Sequence, residues 1–218
     1  MMPRHIIFDC DGVLVDSEPI SMRADVTILK QHGFVISERD AHERFVGKTF
    51  QAMLDDIVEN EGVTFPPGLS DQKNRMMEEL YQTELRIVPG VIDVLNHLKR
   101  KGIGMSIASN SPTARVELAI KLTGIKPYFS AITSVADVTQ GKPAPDVFLR
   151  AAEIAGVSPA DCLVVEDSTT GVTAAVAAKM RTLGFVGTHH DPDRQAGALK
   201  KLGAFAVLKR MDALPNYL

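Results

Sequence analysis

The chain has 218 residues, 45% hydrophobic and 23% charged, with 27 acids against 24 bases for a formal net charge of −3. That apolar share is ample for a buried core and excludes disordered, collagen-like and low-complexity classes. A slightly acidic chain without a basic tract also argues against nucleic acid as the main partner. No apolar run approaches the roughly 20 residues of a membrane span. The start, Met-Met-Pro-Arg-His-Ile-Ile-Phe-Asp, is not expected to be a signal peptide, because its apolar run ends after three residues in an acid. Cys10 and Cys162 make a poor disulfide framework. The expectation is a cytoplasmic protein with reduced thiols, monomeric by default. At about 150 residues per domain, the length fits one large domain or a core with a modest insertion.

In chain order, Ile6-Ile7-Phe8 is the first short apolar run. From Asp16 to about Thr83 only amphipathic helical patterns follow, near 17–32, 37–45, 49–60 and 70–85. Beyond them, helical patterns at 90–101, 112–123, 145–156, 169–179 and 193–202 alternate with apolar runs. These runs are Ile103 to Ala108, Cys162 to Val165, Thr182 to Val186 and Ala204 to Leu208. Continuous apolar runs suit strands covered on both faces, so the alternation predicts an α/β fold with a doubly wound parallel sheet. The helical block directly after the first strand reads as an insertion that packs by itself. Its charge sets it apart: residues 16–83 hold 13 acids and 7 bases, net −6, which leaves +3 for the rest.

The first run leads straight into Asp9-Cys10-Asp11-Gly12. Two carboxylates spaced i, i+2 in extended backbone share one side of the strand, and Cys10 alternates to the other, where a packed thiol is expected. The carboxyl end of a parallel strand is where open α/β sheets place their sites. Two such acids stay ionised together only beside a cation; otherwise one pKa rises. Either state is useful, one for a nucleophile and the other for a general acid. A calcium loop of the EF-hand type is not expected, because Val13 stands where an oxygen ligand is needed.

Three later segments would meet the first strand's end in such a sheet. Ser109-Asn110-Ser111 closes an apolar strand before a helix, which suits a phosphate cradle, and equally suits plain capping by Asn110 or Ser111. Lys142, in Gly141-Lys142-Pro143, is held on a stiff loop and could neutralise developing negative charge, or simply be solvated. Glu166-Asp167 ends a fully apolar strand ahead of Ser168-Thr169-Thr170-Gly171, and paired carboxylates suit Mg²⁺. Acid pair, hydroxyl-amide, lysine and acid pair together make the parts list of phosphoryl transfer. The cluster His189-His190-Asp191 lies in a loop and is expected to be exposed surface. Ala174, Ala175, Ala177 and Ala178 are expected to permit close helix–sheet packing.

On these four motifs the sequence resembles the haloacid dehalogenase (HAD) superfamily, in particular its β-phosphoglucomutase-like phosphatase subgroup. The resemblance implies a Rossmann-like core, 1–15 and 84–218, with a small helical cap, 16–83, that selects substrate. It implies that Asp9 attacks phosphorus and carries an aspartyl-phosphate, and that Asp11 is the acid and base. Mg²⁺ would be held by Asp9, the Asp11 carbonyl and Asp167, with Glu166 a ligand or a partner of one. Ser109, Asn110 and Lys142 would hold phosphate. The substrate implied is a small phosphate ester, a sugar or sugar-acid phosphate, with neither nucleic acid nor membrane as partner. Asp11 argues against dehalogenation, which lacks the second acid.

Phosphosugar mutases of the subgroup are the nearest alternative, and they carry a cap histidine and a cap arginine. Aligning on Asp9 and Gly47 puts Ser21 and Phe50 there, which favours hydrolysis. A non-enzymatic, receiver-like module phosphorylated on Asp9 is the third reading, but it needs no cap. In the cap, Lys48 and Arg44 are the first candidates for reading the rest of the substrate. Arg44 to Lys48 and the tail Leu214-Pro215-Asn216-Tyr217 are similar to the group of bacterial 6-phosphogluconate phosphatases.

Overall fold

A computed structural model describes residues 2–45 and 48–218. Gly47, on which the cap motif is aligned, lies outside the described residues. The first strand, β1 (His5–Phe8), is buried at every position, as a strand with layers on both faces must be. The chain then forms a two-residue strand, β2 (Val15–Asp16), and four helices, α1 (Glu18–Gln31), α2 (Glu38–Phe45), α3 (Phe50–Glu61) and α4 (Leu69–Glu84). A matching two-residue strand, β3 (Arg86–Ile87), pairs antiparallel with β2. The helical block therefore starts and ends at one ribbon. Two residues are too short for any periodicity, which is why the sequence carries no sign of this pair.

The remaining elements are α5 (Val91–Arg100), β4 (Gly104–Ala108), α6 (Thr113–Leu122), β5 (Ile132–Thr133) and α7 (Asp146–Ala155). They are followed by β6 (Cys162–Glu166), α8 (Thr169–Ala177), β7 (Arg181–Phe185), α9 (Pro192–Lys201) and β8 (Ala206–Leu208). Six strands form one sheet in the order β5-β4-β1-β6-β7-β8, and every neighbour is parallel. This is the doubly wound α/β sheet expected. From β1 the chain steps outward through β4 and β5 on one side, then through β6, β7 and β8 on the other. The order reverses at β1, and the carboxyl ends of strands flanking such a switch point form a crevice.

Helix faces follow the apolar spacing. In α5, Val91, Val94, Leu95 and Leu98 are buried at i, i+3, i+4 and i+7. In α7 the buried set is Val147, Phe148, Ala151 and Ala152, packed with Ile7, Val164 and Ala174 in one cluster. Ala174, Ala175 and Ala178 are buried against the sheet as expected, whereas Ala177 is exposed on the opposite face of α8. Helix starts are fixed locally: Ser168 caps α8 by accepting from Gly171 N–H, and Asp191 caps α9 ahead of Pro192.

The chain divides into two compact units, Met1–Asp16 with Arg86–Leu218, and Ser17–Leu85. The second has its own core of Ile28, Leu29, Ala41, Phe45, Met53, Leu54, Ile57 and Leu69. Each large apolar side chain buried there is worth about 1.5–3 kcal/mol. That is what allows a helical insertion to pack by itself. Among the described residues, no helix is long and apolar enough to cross a membrane.

Candidate active site

The register of the sheet brings the motifs together. Phe8 is level with Ile107 on β4 and with Val165 on β6. The next residue on each strand, Asp9, Ala108 and Glu166, therefore emerges at one height. The backbone confirms the level, since Asp9 N–H donates to the Val165 carbonyl at 3.0 Å. After Asp9 the chain does not stay extended. Leu14 and Val15 N–H groups both donate to the Cys10 carbonyl, and Gly12 turns with φ +77°. The two acids are thus neighbours through a turn rather than along a strand. Cys10 is buried, and its thiol is pushed well above its ordinary pKa, by burial first and then by Asp11 and Asp9. A packed, unreactive thiol follows.

Lys142 is the hinge of the site. It is only 8% exposed, so the solvated alternative does not hold. Its ammonium donates to Asp9 Oδ1 at 2.6 Å, Glu166 Oε1 at 2.7 Å and the Ala108 carbonyl at 2.9 Å, which uses all three of its protons. Burial works against that ammonium, but Asp9 and Glu166 outweigh it and hold its pKa above the ordinary lysine range. Asp9 is pushed from the ordinary 3.8 up to about 7, mainly by burial; Lys142 opposes this, while Glu166 and Asp11 add to it. Asn110 sets the height of Lys142. Its side chain accepts from Lys142 N–H at 2.8 Å and donates to the Lys142 carbonyl at 3.1 Å.

Ser109 is buried, and its hydroxyl accepts from Ser111 N–H at 3.0 Å. The Ser111 hydroxyl donates to Asp11 Oδ2 at 2.6 Å and accepts from Arg115 Nη2 at 2.6 Å. Neither Asn110 nor Ser111 caps α6; the cap position is Pro112, without a side-chain bond. The hydroxyl-amide segment is therefore turned toward β1 and Lys142 instead of toward its own helix.

The second acid pair splits its duties. Glu166 Oε2 accepts from Ser168 N–H at 2.7 Å and from the Ser168 hydroxyl at 3.0 Å, while Oε1 takes Lys142. Asp167 lies against the first turn: a Cβ added at Gly12 would fall 2.0 Å from Asp167 Oδ2. Its backbone carbonyl accepts from Gln195 at 2.6 Å, and Thr188 donates to the Gly12 carbonyl at 2.7 Å. Both loops are thus tied to the segment after β7, which nothing in the sequence motifs marks. Oxygen ligand atoms of Asp9, Glu166 and Asp167 all lie within 4.8 Å of one another. An all-carboxylate donor set of this closeness fits a hard divalent cation such as Mg²⁺. Among the described residues this is the one acid and histidine grouping with that property; His189-His190-Asp191 forms none.

Gly171 makes room for this arrangement, because a Cβ there would meet Glu166 Oε1 at 1.7 Å. Helix propensity alone favours alanine over glycine by about 1 kcal/mol. The contact outweighs propensity, so Gly171→Ala should lower the melting temperature and reduce turnover at least tenfold. A thermal melt beside a phosphate-release assay checks this; a stabilised, fully active variant would contradict it.

In the helical unit, Arg44 is engaged by acids of α3. It donates to Glu61 at 2.8 Å and Asp56 at 3.0 Å, and lies over the Phe45 ring. Lys48 also pairs with Asp56, whose pKa these two cations hold below the usual carboxylate range. Lys48 lines a recess of about 130 Å³, together with Ser21, Phe50, His42 and the ion pair of Lys73 with Asp25 at 2.6 Å. Arg44 does not line it.

Comparison with known proteins agrees with this geometry. A family model described as haloacid dehalogenase-like hydrolase matches residues 6–185. A phosphorylated carbohydrates phosphatase of Thermotoga maritima is 30% identical over 213 residues, covering 96% of this chain and 95% of that protein. A 6-phosphogluconate phosphatase of Escherichia coli is 28% identical, covering 96% and 93%. The Arabidopsis thaliana protein SUPPRESSOR OF QUENCHING 1 is 33% identical over 183 residues, but the chain spans only 17% of its length. A solved haloacid dehalogenase-like protein of Agrobacterium tumefaciens superposes with a TM-score of 0.87 at 36% identity, over 98% of this chain and 96% of that one. With the motif residues gathered at the switch point of a parallel sheet, and with a family match across most of its length, the chain belongs to the haloacid dehalogenase-like hydrolases.

Proposed function

We propose that the chain is a Mg²⁺-dependent phosphatase of small phosphorylated metabolites, sugar or sugar-acid phosphates, working through an aspartyl-phosphate on Asp9. The observation that carries this reading is the Lys142 ammonium bonded to both Asp9 and Glu166 beside Asp167. It is one fixed positive charge among acids, at the end of a central strand. The substrate class is supported by the names of the Thermotoga maritima and Escherichia coli relatives.

In this mechanism an Asp9 carboxylate oxygen attacks phosphorus and the ester P–O bond breaks. The electron pair goes to the leaving oxygen, which takes the proton of the Asp11 carboxyl. Asp11, now a carboxylate, takes a proton from a water whose oxygen attacks the same phosphorus. The P–O bond to Asp9 breaks, phosphate leaves, and both acids return to their starting states. The Ser109 hydroxyl donates to one phosphoryl oxygen, and Lys142 reaches another by exchanging its bond to Asp9 Oδ1, which frees that oxygen to attack. Asn110 serves both residues by fixing Lys142 through one amide proton and its carbonyl oxygen, and its second amide proton is left to donate to phosphate. A magnesium ion held by Asp9, the Asp11 carbonyl and Asp167 would neutralise charge, so that one anion can meet another. Glu166 orients Lys142 through Oε1 and keeps lone pairs with which it would join Asp9 and Asp167 around the ion.

Hydrolysis is favoured over a mutase by Ser21 and Phe50, which line the helical unit's recess where a mutase would carry histidine and arginine. Within that recess, Lys48 selects among substrates, and Arg44 braces α2 against α3. The test is a phosphate-release screen over a panel of phosphorylated sugars and sugar acids, with Mg²⁺ and then with EDTA. Expected are turnover of several panel members, its loss in chelator, and free phosphate instead of the 6-phosphate isomer from a hexose 1-phosphate. Lys48→Ala should change KM unevenly across the panel. Undiminished turnover in EDTA, or isomer formation, would sink the reading.

A further inference from the structure

Asp11 is approached by two residues that the motifs do not name. Ser111 donates to Asp11 Oδ2 at 2.6 Å, and Arg115 Nη2 donates to the Ser111 hydroxyl at the same distance. A hydroxyl has one proton to give and lone pairs to receive, so both bonds can exist at once. A guanidinium donating to a hydroxyl that donates to a carboxylate polarises the chain in one direction. Ser111 is 6% exposed, and its own N–H is fixed on the Ser109 hydroxyl, so the middle of the chain is rigid.

The position of Arg115 supports a role beyond folding. It is the third residue of α6, at the helix N-terminal end. A cation is disfavoured there, because the positive end of the helix dipole repels it. Local helix energetics therefore does not account for an arginine. Ser111 and Arg115 are four apart in sequence, with Pro112 leading into the first turn between them. The start of α6 carries Arg115 back over Ser111, and Ser111 reaches Asp11 from a hundred residues away.

We infer that Ser111 and Arg115 form a relay that positions the Asp11 carboxyl for proton transfer, with Arg115 acting through Ser111 as a positioning residue. This rests on the proposed role of Asp11 as acid and base. An acid turned away from the leaving oxygen cannot supply its proton as the P–O bond breaks. An alkoxide leaving group needs that proton; a nitrophenolate departs without it.

The experiment compares kcat/KM for p-nitrophenyl phosphate with kcat/KM for the sugar phosphate hydrolysed fastest, in Ser111→Ala, Arg115→Met, Arg115→Lys and the double variant Ser111→Ala/Arg115→Met. Because kcat/KM reports events up to the first P–O cleavage, the later water step does not enter. General acid catalysis supplies about 10²–10⁴-fold, so the sugar ester should lose about 10- to 100-fold and the aryl ester no more than about threefold. The double variant should lose no more than Ser111→Ala alone, as members of one chain do. Arg115→Lys, which keeps a cationic donor, should recover part of the loss. Inhibition by inorganic phosphate should stay within about twofold of wild type, on the same argument. Equal loss on both esters, weakened inhibition by phosphate, or no loss at all would overturn the relay. Asp11→Asn in the same assay separates the two levels. If Asp11→Asn shows the split and the relay variants do not, only the relay fails. If Asp11→Asn shows none, the acid–base role fails and the relay with it. Thermal melts show that each variant is folded, and Ser111→Thr, which keeps the hydroxyl, should retain the sugar-ester rate.

Discussion

Asp9→Asn should abolish phosphate release while making the protein harder to melt. The loss follows from chemistry: an amide oxygen is a feeble nucleophile toward phosphorus, and removing a covalent nucleophile costs at least about 10³-fold. The gain in stability follows from burial. Asp9 is 7% exposed, and its pKa stands at about 7, raised mainly by desolvation, with Glu166 and Asp11 adding to it. A folded pKa above the unfolded value means that the native state holds the proton more tightly. This group's contribution to stability is therefore greatest below about pH 4, falls as pH rises toward 7, and is lowest above that. Asparagine has no charge to bury, and its carbonyl can still accept from Lys142. In EDTA at pH 8 the variant should melt above wild type by roughly 2–8 °C, about 2–4 °C per kcal/mol for a chain of this size. The gap should close toward pH 5, where wild-type Asp9 is protonated. A clean preparation of Asp9→Asn that releases phosphate within tenfold of wild type would remove Asp9 as nucleophile. A gap that widens on acidification would contradict the burial argument.

Much of the site is legible in the sequence because each motif ends an apolar strand. In a parallel sheet every such end points to one edge, so Asp9, Ser109 and Glu166 had to meet once Phe8, Ile107 and Val165 were paired. What the sequence does not carry is the sharing of partners. Glu166 and Asp167 look alike as an acid pair, yet Ser168 and Lys142 occupy one while the other lies against Gly12. That division follows from their places, Glu166 as the last residue of β6 and Asp167 just beyond it, and not from charge, which they share. Asn110 reads as a phosphate donor, and no linear pattern tells that one of its amide protons and its carbonyl oxygen also hold the Lys142 backbone 32 residues away. Arg44 reads as a substrate contact from its place in the cap motif. The packing of α2 on α3, invisible in a linear pattern, gives it Asp56 and Glu61. Ser111 and Arg115 carry an ordinary i, i+4 spacing, and its meaning comes only from Asp11 a hundred residues earlier. Strands of two residues, β2, β3 and β5, leave no period to detect.

Lys142→Met should be nearly as damaging to activity as the loss of Asp9, but with the opposite effect on stability. The ammonium is the one group on the site that lowers the Asp9 pKa. Without it, burial and the neighbouring acids act unopposed, and Asp9 holds its proton to still higher pH. The nucleophile is then neutral through the physiological range, so the acid limb of the kcat profile should move upward by at least one pH unit. Turnover near neutrality should fall by about 10²–10⁴-fold, because the proposed mechanism also loses the fixed charge it assigns to the phosphoryl oxygens. Stability should fall by about 3–5 kcal/mol, the usual consequence of removing one partner from a buried ion pair. Here two carboxylates and the Ala108 carbonyl lose their shared donor. Lys142→Arg should not rescue it, since a planar fork cannot replace a point charge in a site that is 8% exposed. The decisive variant is Lys142→Met with Glu166→Gln. Neutralising Glu166 removes the uncompensated charge that remains, so the double variant should regain part of the lost stability and none of the activity. Urea melts of the single and double variants give the coupling energy directly. A double variant no more stable than Lys142→Met would mean that the lysine holds the loop by shape and not by charge, and a single variant with wild-type kcat would remove Lys142 from the phosphate site.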